Sequence, residues 1–326
     1  MNSLQEWEKS LHGKIDSINR SLLEAVDCEE ENLREMARYT IEAGGKRLRP
    51  ILTILSHSIV SEEPYEKIMD LAIGTELVHT ASLIHDDIID AATTRRGLIT
   101  LSEKYGVFNA IVVGDYLFTR AYELGSRYGP EVSKILAHGA IKLAEGQTLE
   151  FVNLGNLNMP EEVYLKIISN KTASFFSVCS EGAAIAAGSN YEVRKSLSDF
   201  AFNMGMAFQI TDDILDIMGE EKSIGKTVFA DIKHNAITLP IIYTLRSDER
   251  YAERLKKILK EGFVGNSKED LRNLFVESGS IDQSFRKAKR YVMDSIDALH
   301  RTGKSPNLDT LMDLSMVVIQ RLDDLF

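Results

Sequence analysis

The stretch "IMDLAIGTELVHTASLIHDDIIDAATTRRG", residues 68–97, decides how the chain is read. Apolar or small residues recur at three- and four-residue spacing, at Ile68, Leu71, Ala72, Thr75, Val78, His79 and Ser82. That is the period of a helix, not of a strand. Its end carries three carboxylates, Asp86, Asp87 and Asp90, and the sign of charge then reverses at Arg95 and Arg96. On a helix, Asp86 and Asp90 stand four apart on one face, and like charges at that spacing are destabilising unless a cation lies between them.

Working outward, the helical period runs through most of the chain, and alternating runs with hairpin dipeptides are scarce. The reading is an all-α fold of roughly ten or more helices, several of them long. Pro50, Pro64, Pro130, Pro160, Pro240 and Pro306 sit where new periodic segments begin, as expected of helix first turns. The segments "IKLAEGQTLEF" and "FAFNMGMAFQITDDILDIMG" are apolar nearly all round, which predicts burial on most sides. No linker, low-complexity tract or repeat divides the sequence, so residues 1–326 read as a single domain. Two irregular stretches, 91–105 and 218–237, each follow an aspartate cluster, and the second is long enough to read as an active-site lid.

The chain carries 49 acidic against 38 basic residues, a net charge of −11, so a duplex-binding surface is not expected and nucleic acid is excluded as a partner. An anionic substrate would need clustered Arg and Lys, or bound metal cations, to offset that charge locally. Cys28 and Cys179 alone make neither a disulfide framework nor a zinc site, which suits a reduced cytoplasmic compartment. The start, "MNSLQEWEKS", has neither the basic nor the apolar region of a secretory signal. With no apolar run of about 18 residues, an integral membrane protein is not expected.

The aspartate pattern returns as "TDDILD", with Asp212, Asp213 and Asp216. Carboxylates are hard oxygen donors suited to Mg2+, which combines a few of them with waters and substrate phosphates. Two such helices facing one another could grip a diphosphate through shared ions. One copy alone reads as well as a solvated helical face. Two copies on apolar helices, each followed by a long loop, argue against that. Cations fit the same picture: Arg95 and Arg96, the "GGKRLRP" set Lys46, Arg47 and Arg49, "NKTAS" with Lys171 and Thr172, and "GKT" with Lys226. Arginine offers planar, bidentate recognition of phosphate oxygens. "GKT" is not a P-loop, because the upstream glycine is absent. His79 lies two turns before Asp86 on the same face.

The ordered set "GGKRLRP", "ELVHTASLIHDDIIDAATTRRG", "VVGDYLF", "EGQTLE", "NKTASFF" and "FQITDDILDIMG…GKTVFADI…TLP" resembles the trans-isoprenyl diphosphate synthases, the polyprenyl synthetase family. The resemblance implies an isoprenoid-synthase-type bundle of mostly antiparallel helices around a central cavity, and a homodimer. It implies that Asp86, Asp90 and Asp212 ligate two or three Mg2+ ions, with Asp87 and Asp216 in support. It places Arg95, Lys171 and Lys226 on the allylic diphosphate, and Lys46, Arg49, His79 and Arg96 on isopentenyl diphosphate. Thr172, Gln209 and the carbonyl at Lys171 would put partial negative charge near the reacting carbon. The reaction implied is Mg-assisted ionisation of the allylic diphosphate, attack by the isopentenyl double bond and loss of a proton. The related class I terpene cyclases differ in their second metal motif.

One departure stands out. The family usually reads D-[IL]-x-E-G-K-x-T-L-P where this chain reads "DIKHNAITLP". His234, Asn235 and Ala236 replace Glu, Gly and a lysine that contacts the allylic diphosphate, with Lys233 nearby as a substitute. That loss also prompts a second reading, a non-catalytic subunit of a two-chain synthase. Product length should be set by the helix before Asp86. Ala81 and Ser82, about 6–8 Å down the axis, are small where a bulky residue in the family gives C15 or C20 products. Val78, Thr75 or Phe118 would then stop growth, and the all-trans product should exceed C20, with geranylgeranyl or farnesyl diphosphate as the shorter alternative.

Overall fold

Helix dominates the computed structural model, which describes residues 12–219, 228–261, 268–302, 305 and 307–322. In chain order the first helices are α1 (His12–Ala25), α2 (Glu31–Glu42), α3 (Leu48–Val60) and α4 (Met69–Ile89). A two-residue hairpin, β1 (Thr94–Arg95) and β2 (Leu98–Ile99), leads to α5 (Leu101–Tyr105), α6 (Val107–Ser126), α7 (Pro130–Phe151) and α8 (Glu161–Ile168). After a π-helical turn at Ser169–Ala173 come α9 (Ser174–Ala186), α10 (Tyr191–Met218), α11 (Ala230–Lys233) and α12 (Leu239–Leu245). The last helices are α13 (Glu249–Glu261), α14 (Lys268–Glu277), α15 (Ser280–Ala298) and α16 (Leu308–Gln320). Among the described residues the hairpin is the only sheet, so the all-α reading holds. No helix of the described residues is long and apolar enough to cross a membrane.

The chain falls into two compact units. The first holds Met1–Ile141, Phe176–Ala201 and Ala298–Leu314; the second holds Lys142–Phe175, Phe202–Asp297 and Ser315–Phe326. In the first, α4 is buried on most sides, from Leu71 through Val78 and again at Thr80, Ala81, Ile84 and Asp87. It packs tightly against α6 because the seam is made of small residues. A Cβ added at Gly74 would come 3.1 Å from the Ala121 carbonyl oxygen, and one at Gly114 would come 2.2 Å from His85 Nε2. Ala81 lies on the same helical stripe as Gly74 and His85, and it is fully buried.

In the second unit, the end of α10 is buried as the sequence predicts, with Met204, Met206, Ala207, Ile210, Ile214, Leu215 and Ile217 all in the core. The end of α7 is different. Of residues 141–151 only Gly146 is buried, and Ile141 and Phe151 are 54% and 63% exposed. Lys142, Glu145 and Glu150 interrupt the apolar face there, and the helix makes its close approach through one glycine. A Cβ at Gly146 would stand 2.7 Å from the Lys171 backbone nitrogen.

Pro50, Pro64, Pro130, Pro160 and Pro240 do stand at or just before helix starts, while Pro306 lies outside the described residues. The stretch 91–105, expected to be irregular, is ordered instead. Arg96 and Gly97 have φ of 52° and 79° between paired strands, the backbone of a type I′ hairpin turn. Thr100 then caps α5 by accepting from the Glu103 backbone N–H at 3.4 Å, an S/T-x-x-E capping pattern. In the stretch 218–237, residues 220–227 lie outside the described residues, and α11 follows them.

Candidate active site

The first unit builds its site on the glycine turn between α2 and α3. Gly44, Gly45 and Arg47 have φ of 77°, 144° and 51°, so the chain reverses within four residues. Arg47 anchors the turn from inside. Its guanidinium reaches Glu76 Oε1 at 3.0 Å, Asn19 Oδ1 at 2.8 Å and the Ile41 carbonyl at 2.8 Å. Arg47 and Glu76 are 3% and 2% exposed. Arg47 is therefore no phosphate ligand, as grouping it with Lys46 and Arg49 would have it; every face of its fork is spent on the fold. Lys46 beside it is exposed, and the Arg49 guanidinium lies 4.9 Å from the centre of the Phe176 ring, a cation–π contact.

The hairpin delivers the remaining cations. Arg96 donates to the Gly44 carbonyl, and its guanidinium lies against Gly45, whose φ of 144° is one that L side chains rarely adopt. His79 on α4 marks where these charges converge: burial holds its pKa well below the usual histidine value, and Arg49, Arg96, Arg95 and Arg47 lower it further. His79 is thus a neutral imidazole among arginines. Arg49, His79 and Arg96, expected together on isopentenyl diphosphate, are brought together. Arg95 turns the other way, with Nε and one terminal nitrogen each 2.7 Å from Asp87 Oδ1. Asp87 is 5% exposed, and burial raises its pKa although Arg95 opposes the shift. The resemblance gave these two residues to a metal and to a substrate; here they hold each other. Asp86 is half-buried and Asp90 exposed at the end of α4. An open groove lies alongside, lined by Tyr39, Thr80, Leu83, Arg96 and Leu98 among others.

Of the chain-length candidates, Val78 and Ala81 are fully buried and Ser82 half-buried, its hydroxyl donating to the His79 carbonyl at 2.8 Å. Phe118 on α6 packs on the His85 ring with centroids 5.8 Å apart.

In the second unit the π-helical turn presents Lys171 and Thr172, and such turns inside α-helical runs are frequent at functional sites. Lys171 is paired with Glu150. The Thr172 hydroxyl donates to Gln209 Oε1 at 2.8 Å, and Gln209 Nε2 donates to Asp213 Oδ1 at 2.9 Å. Tyr164 donates to Asp213 Oδ2 at 2.6 Å, and its phenol is pushed well above the usual value by burial and then by Asp213. Asp213 stood in the second aspartate pattern without a role of its own, and Tyr164 was not among the sequence candidates. A buried tyrosine on α8, ahead of "NKTAS", gives no signal of its own.

Asp212 is 2.7 Å from the Arg321 guanidinium, which no motif announced. Asp216 is buried and accepts the backbone N–H groups of Ala230 at 3.1 Å and Asp231 at 3.2 Å. It caps α11 and pins the chain after residue 227 to the end of α10. Lys226 lies outside the described residues. At the departure from the family pattern, Asn235 keeps a φ of 58°, a left-handed turn that asparagine tolerates better than most residues.

Among the described residues no three His, Cys, Asp or Glu side chains are gathered as a protein-only metal cage would require. Mg2+ needs no such cage, since it is bound through one or two carboxylates plus substrate phosphates and waters. Asp86 and Asp90, one turn apart at the end of α4, supply that kind of donor set.

The sequence pattern of the polyprenyl synthetase family matches residues 30–276. The chain is 28% identical to octaprenyl diphosphate synthase of Haemophilus influenzae, over 98% of this chain and 97% of that one. It is 33% identical to geranylgeranyl diphosphate synthase of Sulfolobus acidocaldarius, over 90% and 92%. Its backbone resembles that of a polyprenyl synthase from Caulobacter crescentus, complexed with calcium and isoprenyl diphosphate. That match has a TM-score of 0.89 and 30% identity, over 98% of both chains. The chain belongs to the polyprenyl synthetase family and has its all-α isoprenoid synthase fold.

The buried ion pair gives a direct test. Glu76→Gln leaves the Arg47 guanidinium buried without its counter-charge, which should cost about 3–5 kcal/mol of stability in urea unfolding. Replacing both partners with Met and Leu should recover much of the loss. An unfolding midpoint for Glu76→Gln equal to that of the unsubstituted protein would remove the pair from the account of the turn.

Proposed function

We propose that this protein is a trans-prenyltransferase that condenses isopentenyl diphosphate with an allylic diphosphate, giving an all-trans polyprenyl diphosphate longer than C20. The observation that carries the reading is the gathering of Arg49 and Arg96 around a neutral His79, one helix face from Asp86 and Asp90. A diphosphate is the ligand such a set fits: cations for its charge, a neutral imidazole to hydrogen-bond its oxygens, and a carboxylate pair to bridge to it through metal.

The residues take these roles. Lys46, Arg49, His79 and Arg96 bind isopentenyl diphosphate and hold its double bond in line. Arg95, Lys171 and Lys226 bind the allylic diphosphate. Asp86, Asp90 and Asp212, supported by Asp87 and Asp216, would hold two or three Mg2+ ions, which would supply positive charge to offset that of the departing pyrophosphate. Thr172, Gln209 and the Lys171 carbonyl turn partial negative charge toward the allylic carbon as its bond to oxygen breaks. The apolar walls keep water from the cation. The isopentenyl double bond attacks, a proton leaves to the released pyrophosphate, and the product carries one further C5 unit.

The two compact units work here as one catalytic domain, residues 1–326, in the cytoplasm. The active form is a homodimer. Its interface is supported by an exposed apolar face on α6: Val107, Phe108, Ile111 and Val112 are 51%, 76%, 45% and 39% exposed, with Leu98 and Ile99 exposed on the hairpin beside them. So wide a patch is unusual on a monomer.

Purified protein incubated with Mg2+, labelled isopentenyl diphosphate and each C5 to C20 primer should give products beyond C20 on sizing. Asp90→Asn should lower kcat by about 100-fold, equivalent to ~2.7 kcal/mol of transition-state stabilisation. No incorporation with any primer would sink the activity. Ala81→Tyr should shorten the product, as its proposed place in the chain-length set requires; unchanged length would take Ala81 out of that set. In sedimentation equilibrium the protein should run as a dimer and Phe108→Glu as a monomer, and a monomeric unsubstituted protein would refute the interface.

A further inference from the structure

The second aspartate cluster contains one carboxylate that the roles above do not use. Asp213 is 4% exposed, and side-chain donors occupy both its oxygens: Tyr164 Oη at 2.6 Å and Gln209 Nε2 at 2.9 Å. A carboxylate only accepts, whereas a carboxamide accepts at one end and donates at the other. The amide of Gln209 is therefore oriented, with its NH2 toward Asp213 and its carbonyl oxygen away. That oxygen lies 2.8 Å from Thr172 Oγ1, and a carbonyl cannot donate, so the proton in this contact belongs to the threonine. We infer that Asp213, seconded by Tyr164, is a positioning residue that fixes the polarity of this chain, so that Thr172 gives its only proton to Gln209 and offers lone pairs alone on its other side.

The reversed amide has almost the same shape and the opposite consequence. It would set Gln209 Oε1 against an Asp213 oxygen, two acceptors in a buried place where an unmade hydrogen bond is costly. It would also make Thr172 an acceptor from the amide and free its hydroxyl proton to point elsewhere. A hydroxyl dipole aimed by its oxygen end stabilises a developing carbocation; aimed by its proton it does the reverse. Dipoles fixed before the reaction need no reorganisation during it. Tyr164 adds rigidity: it is 3% exposed and holds the second Asp213 oxygen, so the carboxylate cannot rotate away from Gln209.

The consequence for rate rests on the proposed prenyl transfer; the proton arrangement does not. Two measurements separate them. In deuterated, 15N-labelled protein, one glutamine side-chain NH2 pair should exchange slowly with solvent, vanish in Gln209→Met and exchange faster in Asp213→Asn. In kinetics, Asp213→Asn lets an asparagine NH2 face the Gln209 oxygen and permits the reversed amide. It should lower kcat about tenfold to a hundredfold, with both KM values and the Mg2+ concentration for half-maximal rate within about twofold. Tyr164→Phe, which keeps the ring and so the fold, should lower kcat in the same way by less. A fast-exchanging Gln209 amide, an Asp213→Asn kcat within about twofold of the unsubstituted enzyme, or a loss that excess Mg2+ restores would each overturn the inference; the last would mark Asp213 as a metal-binding group. An unsubstituted protein inactive with every primer would sink prenyl transfer instead, and the amide measurement would still decide the orientation of Gln209.

Discussion

Several arginines can converge inside a helical core only if negative charge answers them, and Glu76 and Asp87 do so in the first unit. Each is buried on α4 and each takes one arginine: Glu76 takes Arg47, and Asp87 takes Arg95. A buried charge left unpaired costs several kcal/mol, so these pairings fix where Arg47 and Arg95 stand. Arg47 is used up, while Arg49 and Arg96 surround His79. Burial and the arginines together keep the imidazole neutral, while the two carboxylates hold Arg47 and Arg95 in place.

The second unit follows the same rule with the sign reversed. Here the acids are in excess on α10, and each described member has a partner of its own: Arg321 for Asp212, Tyr164 and Gln209 for Asp213, and the N–H groups opening α11 for Asp216. Lys171 likewise rests on Glu150. A site that handles diphosphate and divalent ions must be stable before either arrives. Ion pairs between groups that are partly exposed, such as Lys171 with Glu150, are weak enough to exchange for a stronger charge. Buried and directional contacts such as Tyr164 with Asp213 are not, and these hold geometry.

Periodicity made the long helices legible, because α4 and the end of α10 are apolar on nearly all sides and could be nothing else. The type of several residues was also enough: prolines marked helix starts, and the acid cluster at Asp86, Asp87 and Asp90 marked the end of α4. What stayed hidden depended on contacts far apart in sequence. Arg47 looks like its neighbours Lys46 and Arg49, and only Asn19, Ile41 and Glu76 reveal that it faces inward. Asp216 belongs by spacing to the metal motif, yet its carboxylate caps a helix that begins at Ala230. The hairpin was missed because its turn is Arg-Gly rather than Asn-Gly or Asp-Gly, and its strands are too short to alternate. Capping at Thr100, by contrast, could have been seen in "TLSE".

The altered segment "DIKHNAITLP" shows how shape and charge can part company at one place. Where the resemblance expects glycine, Asn235 stands in a left-handed turn at a φ of 58°. The turn is closed as a glycine turn would be, with Ala236 N–H donating to the Asp231 carbonyl at 2.8 Å and the Asn235 carbonyl accepting from Gly155 at 2.8 Å. The turn is thus complete with Ala236 where the resemblance expects a lysine. A hydrogen bond from a charged group is worth about 1.5–3 kcal/mol, about tenfold to a hundredfold in affinity. In a chain of net charge −11, a cation that the resemblance implies for a diphosphate weighs more than one on a surface. The hydrogen bond at 236 is made by the backbone N–H and not by the side chain, so exchanging lysine for alanine there changes charge and leaves this bond in place.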